Sequence, residues 1–433
     1  MAIDTHDEPV QPLGWIRRWG PRGFWALADQ GLVSVSNLAL NVILARWLAP
    51  DEYGAFTVGF SVLLVVASLH AALLTDPMLV FATGRFARRP DAYLRVLILG
   101  HWILTGPLAL AALAAGLVAQ ILWTDFVSPV LAGLAVATPF YLLLTLLRRA
   151  FYARLQPKDS AVGSGLYLAF SLLGVVALER VVELSPASGF VALALGSLVA
   201  DGWLLLRLRA KWSVPTRAEL AEVLSAHWGF GRWGLGANLA QWISSNLYYL
   251  VLPIWAGLEA SAGFRAMTNL VIPLTQALTA IGPLLLAAFT RARERADFSA
   301  GVWRITLSLA AGAVVYWLLL SWLAEPVLHW LYSGKYLEHA HLAWVIGLIP
   351  VCHAIGMGAG AALRAMERPD RDFPANVASA AIPLTLGVLF VWLLGVTGAV
   401  IGWALTSAVA TLLTGLTFVF LQTSQRRSAS LGE

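Results

Sequence analysis

The sequence predicts an all-α polytopic membrane protein, with about twelve transmembrane helices in two pseudo-symmetric six-helix lobes. Three observations predict it: an apolar, charge-poor composition, a chain-long series of apolar runs, and a one-sided distribution of Lys and Arg. Of 433 residues, 59% are hydrophobic and 12% charged. A water-soluble domain carries about 25% charged residues, which it needs to cover its surface. A bilayer removes that need, because apolar surface can face lipid. The 37 glycines and 20 prolines fit, since both are commoner in membrane helices than in soluble ones. Many of the 19 tryptophans fall near segment ends, among them Trp25, Trp47, Trp123, Trp233, Trp255 and Trp330, where indoles sit at the membrane interface.

A spanning helix needs ~20 mainly apolar residues. The runs place spans near 27–47, 55–75, 94–118, 127–147, 161–181, 188–208, 235–256, 262–289, 303–324, 342–363, 375–395 and 398–420. With the N-terminus in the cytoplasm, 25 of the 29 Lys and Arg fall on inner segments and their flanks. Only Arg46, Arg180, Arg265 and Lys335 fall outside. Cytoplasmic loops carry that excess in membrane proteins, so both termini are expected inside. The first apolar run begins near Phe24 after a polar start, is too long for a signal-peptide core, and has no clear small-residue cleavage site after it.

The expected division is a cytoplasmic segment 1–23, an N-lobe 24–208, a linker 209–232, a C-lobe 233–421 and a cytoplasmic tail 422–433. Within the linker, Thr216 and Glu219 have capping-box spacing. Leu220, Val223 and Leu224 form an apolar stripe, either resting on the membrane surface or joining the lobes. The halves repeat weakly. A shift of 209 places Ser36-Asn37-Leu38 on Ser245-Asn246-Leu247 and Gly54 on Gly263. DPMLVFATGR (76–85) then faces GPLLLAAFTR (282–291). Such halves are an arrangement known in transporters.

Polar residues inside membrane helices are costly and mark functional candidates. Gln30, Ser34, Asn37 and Asn41 share one face of the first span. Asn238, Gln241, Ser245 and Tyr248 do so in the seventh, and Arg265, Asn269, Gln276 and Pro283 in the eighth. Two arrangements produce such stripes: a hydrophilic cavity between lobes, or hydrogen bonding between helices within a lobe. Arg46 and Arg265 are the outer-side arginines nearest the stripes. Guanidinium groups bind diphosphates bidentately, while snorkelling to the interface, with Arg46 pairing Asp51 or Glu52, is the plainer reading. The candidate substrate-binding set is therefore Arg46, Arg265, Asn37, Asn41, Asn238, Gln241, Asn269 and Gln276. Asp29 and Asp201 are ion-coupling candidates, each also readable as a satisfied buried pair or cap. His70, His101 and His353 lie in separate spans and read as core residues.

Several chemistries are set aside. The single Cys352 excludes an internal disulfide or a cysteine-based metal cluster. His339 and His341 are two ligands, too few for a metal site. GFGRWG (229–234) fits a dinucleotide fingerprint but follows no strand. No cofactor and no catalytic residue is expected. The net charge of +5 is spread through short loops and points to topology rather than nucleic acid.

Three segments resemble polysaccharide and O-antigen flippases of the multidrug/oligosaccharidyl-lipid/polysaccharide exporter superfamily. ARWLAPDEYGAF (45–56) is similar to their turn between helices one and two. LYSGKYLEHAHLAWVIGL (331–348) looks like their outer segment between helices nine and ten, and LRAMERPD (363–370) like their loop after helix ten. The resemblance implies two lobes around a cationic cavity, in a bacterial inner membrane. It implies flipping of an undecaprenyl-diphosphate-linked oligosaccharide, an O-antigen or exopolysaccharide repeat unit, from the inner to the outer leaflet by alternating access. The implied partners are that lipid-linked glycan, membrane lipids, and a polysaccharide polymerase with other biosynthesis-cluster proteins. The peptidoglycan-precursor branch often has two further helices that this chain lacks. An alternative is a cation-coupled drug or metabolite exporter of the same fold, dependent on Asp29 or Asp201. A third is a membrane glycosyltransferase or polymerase. Such enzymes carry a large outer loop, whereas the longest here is about 325–341.

Overall fold

The computed structural model describes residues 12–122, 126–208, 214–293, 297–366 and 373–430. Parts of the expected terminal segments (1–11 and 431–433), of the linker (209–213) and of the loop after helix ten (367–370) lie outside the described residues. All regular structure among the described residues is helical. The first six helices are α1 (Pro12–Trp47), α2 (Pro50–Phe81), α3 (Pro90–Leu122), α4 (Val127–Ala153), α5 (Pro157–Val181) and α6 (Pro186–Leu208). The second six spans are built from α7 (Arg217–Ala292), α8 (Phe298–Trp322), the short α9 (Ala324–Tyr332), α10 (Leu348–Ala365), α11 (Phe373–Ile382) and α12 (Val388–Ser430).

Among the described residues, ten stretches are long and apolar enough to cross a membrane. Two of them are each two helices. The 76 residues of α7 would make a rod of ~114 Å against a ~30 Å hydrocarbon core. Gly257 breaks it, with φ 81° and ψ 168°, a region essentially reserved for glycine. The arms fold back on each other: Ser261 Oγ donates to the Tyr249 carbonyl at 3.2 Å, twelve residues away. Gly395 (φ 56°) breaks α12 in the same way, and behind it Gly398 packs against the carbonyl of Phe390. The run from α11 through a π turn (Pro383–Gly387) to Leu394 is one span, and 396–430 begins the next. Twelve spans result among the described residues, and both expected breaks, after 256 and after 395, fall at these glycines.

Prolines mark local irregularity. Pro107 and Pro139 lie inside α3 and α4. A π turn (Ala71–Thr75) precedes Pro77 in α2, and Pro383 opens the π turn before α12. A proline removes an internal hydrogen bond, and wider turns of this kind accommodate the loss.

The lobes meet along α2 and the first arm of α7. Trp242 Nε1 donates to the Ser61 carbonyl at 3.1 Å, and Gly231 lies against the Ala72 carbonyl. The amphipathic stretch after Thr216 is not a separate linker helix. It runs unbroken into the seventh span, starting from the expected capping box: Glu219 N–H donates to Thr216 Oγ1 at 3.2 Å and Thr216 N–H to Glu219 Oε2 at 2.8 Å. Its apolar stripe rests on α3, with Leu224 near Gly100, and just ahead of α3 Arg89 clamps Glu222 at 3.0 and 3.2 Å. On the opposite, far side, the end of α1 and start of α2 pack against the Gly257 turn and the segment 332–342.

Candidate functional site

The polar stripes converge on one cavity of about 1160 Å³ between the lobes. Gln30, Ser34 and Asn37 of α1 and Phe60 of α2 line one wall. Both arms of α7, with α10 and α12, line the other. It reaches from Arg265 near the far side to Leu286 and Arg364 near the termini-side ends of α7 and α10. This placement follows from the medium: amides and hydroxyls at helical spacing cannot face hydrocarbon without loss of hydrogen bonding, so they turn inward.

Of the eight candidate binding residues, Asn37, Asn238, Gln241, Arg265 and Gln276 line the cavity. Gln30 Nε2 reaches across it to Gln276 Oε1 at 3.4 Å. Asn37 accepts from Tyr167 OH at 3.0 Å, and Asn238 donates to Asp76 Oδ2 and the Ser68 carbonyl, both at 3.2 Å. Asn41 and Asn269 lie one layer deeper, in the wall that ends the cavity. Asn41 Oδ1 accepts from Arg265 Nε at 3.0 Å and from Tyr53 OH at 3.2 Å. Asn269 Nδ2 donates to Tyr332 OH at 3.2 Å and to Tyr53 OH at 3.4 Å. Arg46 is separated from the set: it is exposed on the far side, where Nε donates to Ser333 Oγ at 3.1 Å. Its expected partner Asp51 or Glu52 is replaced by that serine, because the segment 332–336 folds over the end of α1.

Arg265 is the charged centre of the closed end. It is only 7% exposed, and its guanidinium lies 5.1 Å from the Phe60 ring and 5.5 Å from the Tyr249 ring. Desolvated cation–π contacts contribute ~2 kcal/mol, so these rings hold the cation without neutralising it. Arg364 is the second arginine of the lining, and among the described residues none of the lining is Asp or Glu.

The carboxylates lie elsewhere. Asp29 is buried within the N-lobe and tied to Arg148 at 2.7 Å, Tyr152 OH at 2.7 Å and Ser164 Oγ at 2.5 Å. It is the satisfied buried pair of the plainer reading. Asp201 is 2% exposed, and neither of its oxygens has a donor among the described residues. The histidines also part company. His70 Nε2 and His101 Nδ1 are 3.1 Å apart in the N-lobe, whereas His353 lines the cavity and meets Thr279 at 3.2 Å. Sequence reasoning passed over the lining hydroxyls of Thr268, Thr275, Thr406 and Thr411. Each bonds a main-chain carbonyl, and in sequence each is indistinguishable from an ordinary helical threonine.

Solved structures similar to this one include transporters. A multidrug resistance transporter of the MATE family and MOP superfamily, in its inward-facing conformation, superposes with a TM-score of 0.71 at 14% identity, covering 94% of this chain and 99% of that one. The chain shares the fold of that transporter. The lipid II flippase MurJ, in an inward closed conformation, also gives 0.71, at 10% identity over 90% of this chain and 86% of its own. A MOP superfamily transporter from Pyrococcus furiosus Vc1, whose binding pocket is described as of reverse polarity, gives 0.64 at 14% identity over 95% and 96%. No protein-family model matches the sequence. No curated protein matches it either.

Proposed function

We propose that this protein flips a polyprenyl-diphosphate-linked oligosaccharide, of the O-antigen or exopolysaccharide repeat-unit class, from the inner to the outer leaflet of a bacterial inner membrane. The observation that carries this is the buried cation of the cavity: Arg265 among amides and hydroxyls, with no carboxylate among the described residues of the lining. A diphosphate matches guanidinium geometry, and the amides suit a sugar. The lipid tail stays in the bilayer while the head crosses. The one-sided Lys and Arg pattern supports cytoplasmic termini, so the far side is the outer side. Cross-lobe closure on that side supports an inward-facing loading state.

Energetics support the direction. Moving one charge through 100 mV is worth ~2.3 kcal/mol. A head with about two negative charges therefore moves outward downhill by roughly 4–5 kcal/mol per 100 mV in an inside-negative cell. The test is flipping of a fluorescent lipid-diphosphate glycan in reconstituted vesicles, with potassium and valinomycin setting the potential. Flipping that follows the sign of the potential, without a proton or sodium gradient, is expected.

A second reading is a cation-coupled drug or metabolite exporter. Asp201, with neither oxygen bonded among the described residues, is the observation that favours it. Transport that ignores the potential, follows only a proton or sodium gradient and stops in Asp201→Asn would replace the first reading with this one.

A further inference from the structure

Arg265 belongs to two things at once: it lines the cavity, and it bonds across the lobes in the layer that closes the far end. Its Nε donates to Asn41 Oδ1 of α1 at 3.0 Å, and both residues are buried, at 7% and 2% exposure. Among the described residues its terminal nitrogens have only the 3.5 Å contact from Nη1 to Tyr249 OH. The Tyr249 hydroxyl is itself committed: Thr268 Oγ1 donates to the Arg265 carbonyl at 2.9 Å, which leaves Tyr249 OH to donate to Thr268 at 2.7 Å. Asn41 is equally committed. Its Nδ2 donates to the Asn37 carbonyl at 2.8 Å, and Oδ1 takes Tyr53 OH together with Arg265. The cavity's buried cation is thus held by a neutral amide on the other lobe rather than by a carboxylate.

We infer that Asn41 is a positioning residue that couples anion binding to opening of the far side: a diphosphate drawing Arg265 into bidentate contact takes its Nε from Asn41 and so releases the cross-lobe bond. This rests on the diphosphate reading of the cavity. A ligand shifts a conformational equilibrium only by its differential affinity for the two states. The shared guanidinium supplies that difference. With the far side closed, the anion competes with Asn41 for Nε; with the lobes parted there, the competitor is gone and both bonds form. A neutral amide suits the role, because its bond to a guanidinium is one an anion outcompetes. A carboxylate at the same place would hold Arg265 and exclude the anion.

The test uses the full chain in nanodiscs with Cys352→Ser and spin labels at Glu183→Cys and Glu325→Cys, two exposed positions on the far side, the first in the turn between α5 and α6 and the second in the first turn of α9. The probe is farnesyl diphosphate, whose binding is measured separately by calorimetry. In the otherwise unchanged chain the probe lengthens the 183–325 distance. In Asn41→Ala the closed-to-open ratio falls about tenfold without probe, the effect of one buried hydrogen bond to a charged group. In Asn41→Asp the ratio rises and the probe binds at least several-fold more weakly. These opposite shifts separate coupling from loss of packing, and Asn41→Asp carries the test if Asn41→Ala does not fold. Distances in Asn41→Ala and Asn41→Asp equal to those of the unchanged chain overturn the proposal. So does probe binding that leaves the distance unmoved. Absent binding, or equal binding by Arg265→Gln, overturns the diphosphate reading and the coupling with it. The probe-free distances then report by themselves whether Asn41 holds the lobes together.

Discussion

The ammonium of Lys335 donates to the carbonyl oxygen of Leu48 at 2.7 Å, across the lobe boundary. The same nitrogen reaches the carbonyls of Arg46 at 2.9 Å and Ala45 at 3.3 Å. These are main-chain acceptors at and just beyond the end of α1, which helix geometry leaves without partners. A lysine of the C-lobe therefore caps a helix of the N-lobe. The backbone around it is shaped for this: Ser333, Gly334 and Tyr336 have φ of 56°, 87° and 64°.

Removing that cap should loosen the far side. A cation at a helix C-terminus contributes ~0.3–1 kcal/mol, and up to ~2 when partly buried. Lys335→Met keeps the stem and loses the charge, so the closed-to-open ratio should fall about two- to tenfold. A cysteine at Ala262, fully buried in the closed state, reports it through labelling by an impermeant maleimide in a Cys352→Ser background. An unchanged labelling rate would mean that Lys335 bears no part of the closure.

Gly54 should be intolerant of any side chain. A Cβ there would collide with the Leu258 carbonyl beside the Gly257 turn. That atom is main chain and cannot rotate away, and overpacking costs ~1–3 kcal/mol. Gly54→Ala should therefore populate states with the far side parted and slow transport about tenfold. Gly106→Ala, where a Cβ meets nothing within 4 Å, is the control. Equal transport by the two variants would count against a tight far-side contact.

Much of this was legible in the sequence, for definite reasons. Apolar runs of fixed length reveal spans because the bilayer sets one dimension, and the breaks at Gly257 and Gly395 fall between the runs. Periodic polar residues reveal a wet face, but not how far along it the water reaches. Gln30 and Asn37 therefore read like Asn41, although a tyrosine layer covers only the last. Arg46 read as a cavity residue because sequence does not show that the chain 287 residues later supplies Ser333. Arg148 is, by sequence, only one of the 25 inner-side Lys and Arg, because its partner Asp29 is 119 residues away.

The Asp29–Arg148 pair should behave as structure rather than as a coupling site. Asp29 is 1% and Arg148 15% exposed at the side chain. Removing one partner of a buried pair leaves an uncompensated charge and costs ~3–5 kcal/mol. Arg148→Gln should therefore lower the detergent melting temperature markedly, and adding Asp29→Asn should recover most of the loss. Both variants that retain a folded state should keep the same response to membrane potential. A double variant no more stable than Arg148→Gln would show that the carboxylate is not the group left stranded.

Docking of the 217–230 stretch should weaken in mild acid, through His227. This histidine is 3% exposed and lies ahead of the seventh span, on the termini side. Nδ1 sits 2.8 Å from the Leu73 carbonyl, which accepts only, so Nδ1 carries the proton. Nε2 then accepts from Tyr93 OH at 2.6 Å. The neutral ring thus has both nitrogens satisfied, and burial pulls its pKa below the ordinary 6.5, opposed in part by the Leu73 carbonyl. The sign follows from that lowering. Well above pH 6.5 the docked and undocked rings are both neutral, and the contact is at full strength. Below it, the undocked ring binds a proton more readily than the docked one, so the contact is lost as pH falls toward the docked value. The Arg89–Glu222 ion pair beside it, at 3.0 Å, holds the helix end in place. Hydrogen exchange of the main-chain amides in 217–230, corrected for intrinsic pH dependence, should accelerate between about pH 7.5 and 5.5. In His227→Gln the amide nitrogen still donates to Leu73 but does not titrate, so the acceleration should vanish. Acceleration of equal size in both proteins would assign the effect to another group.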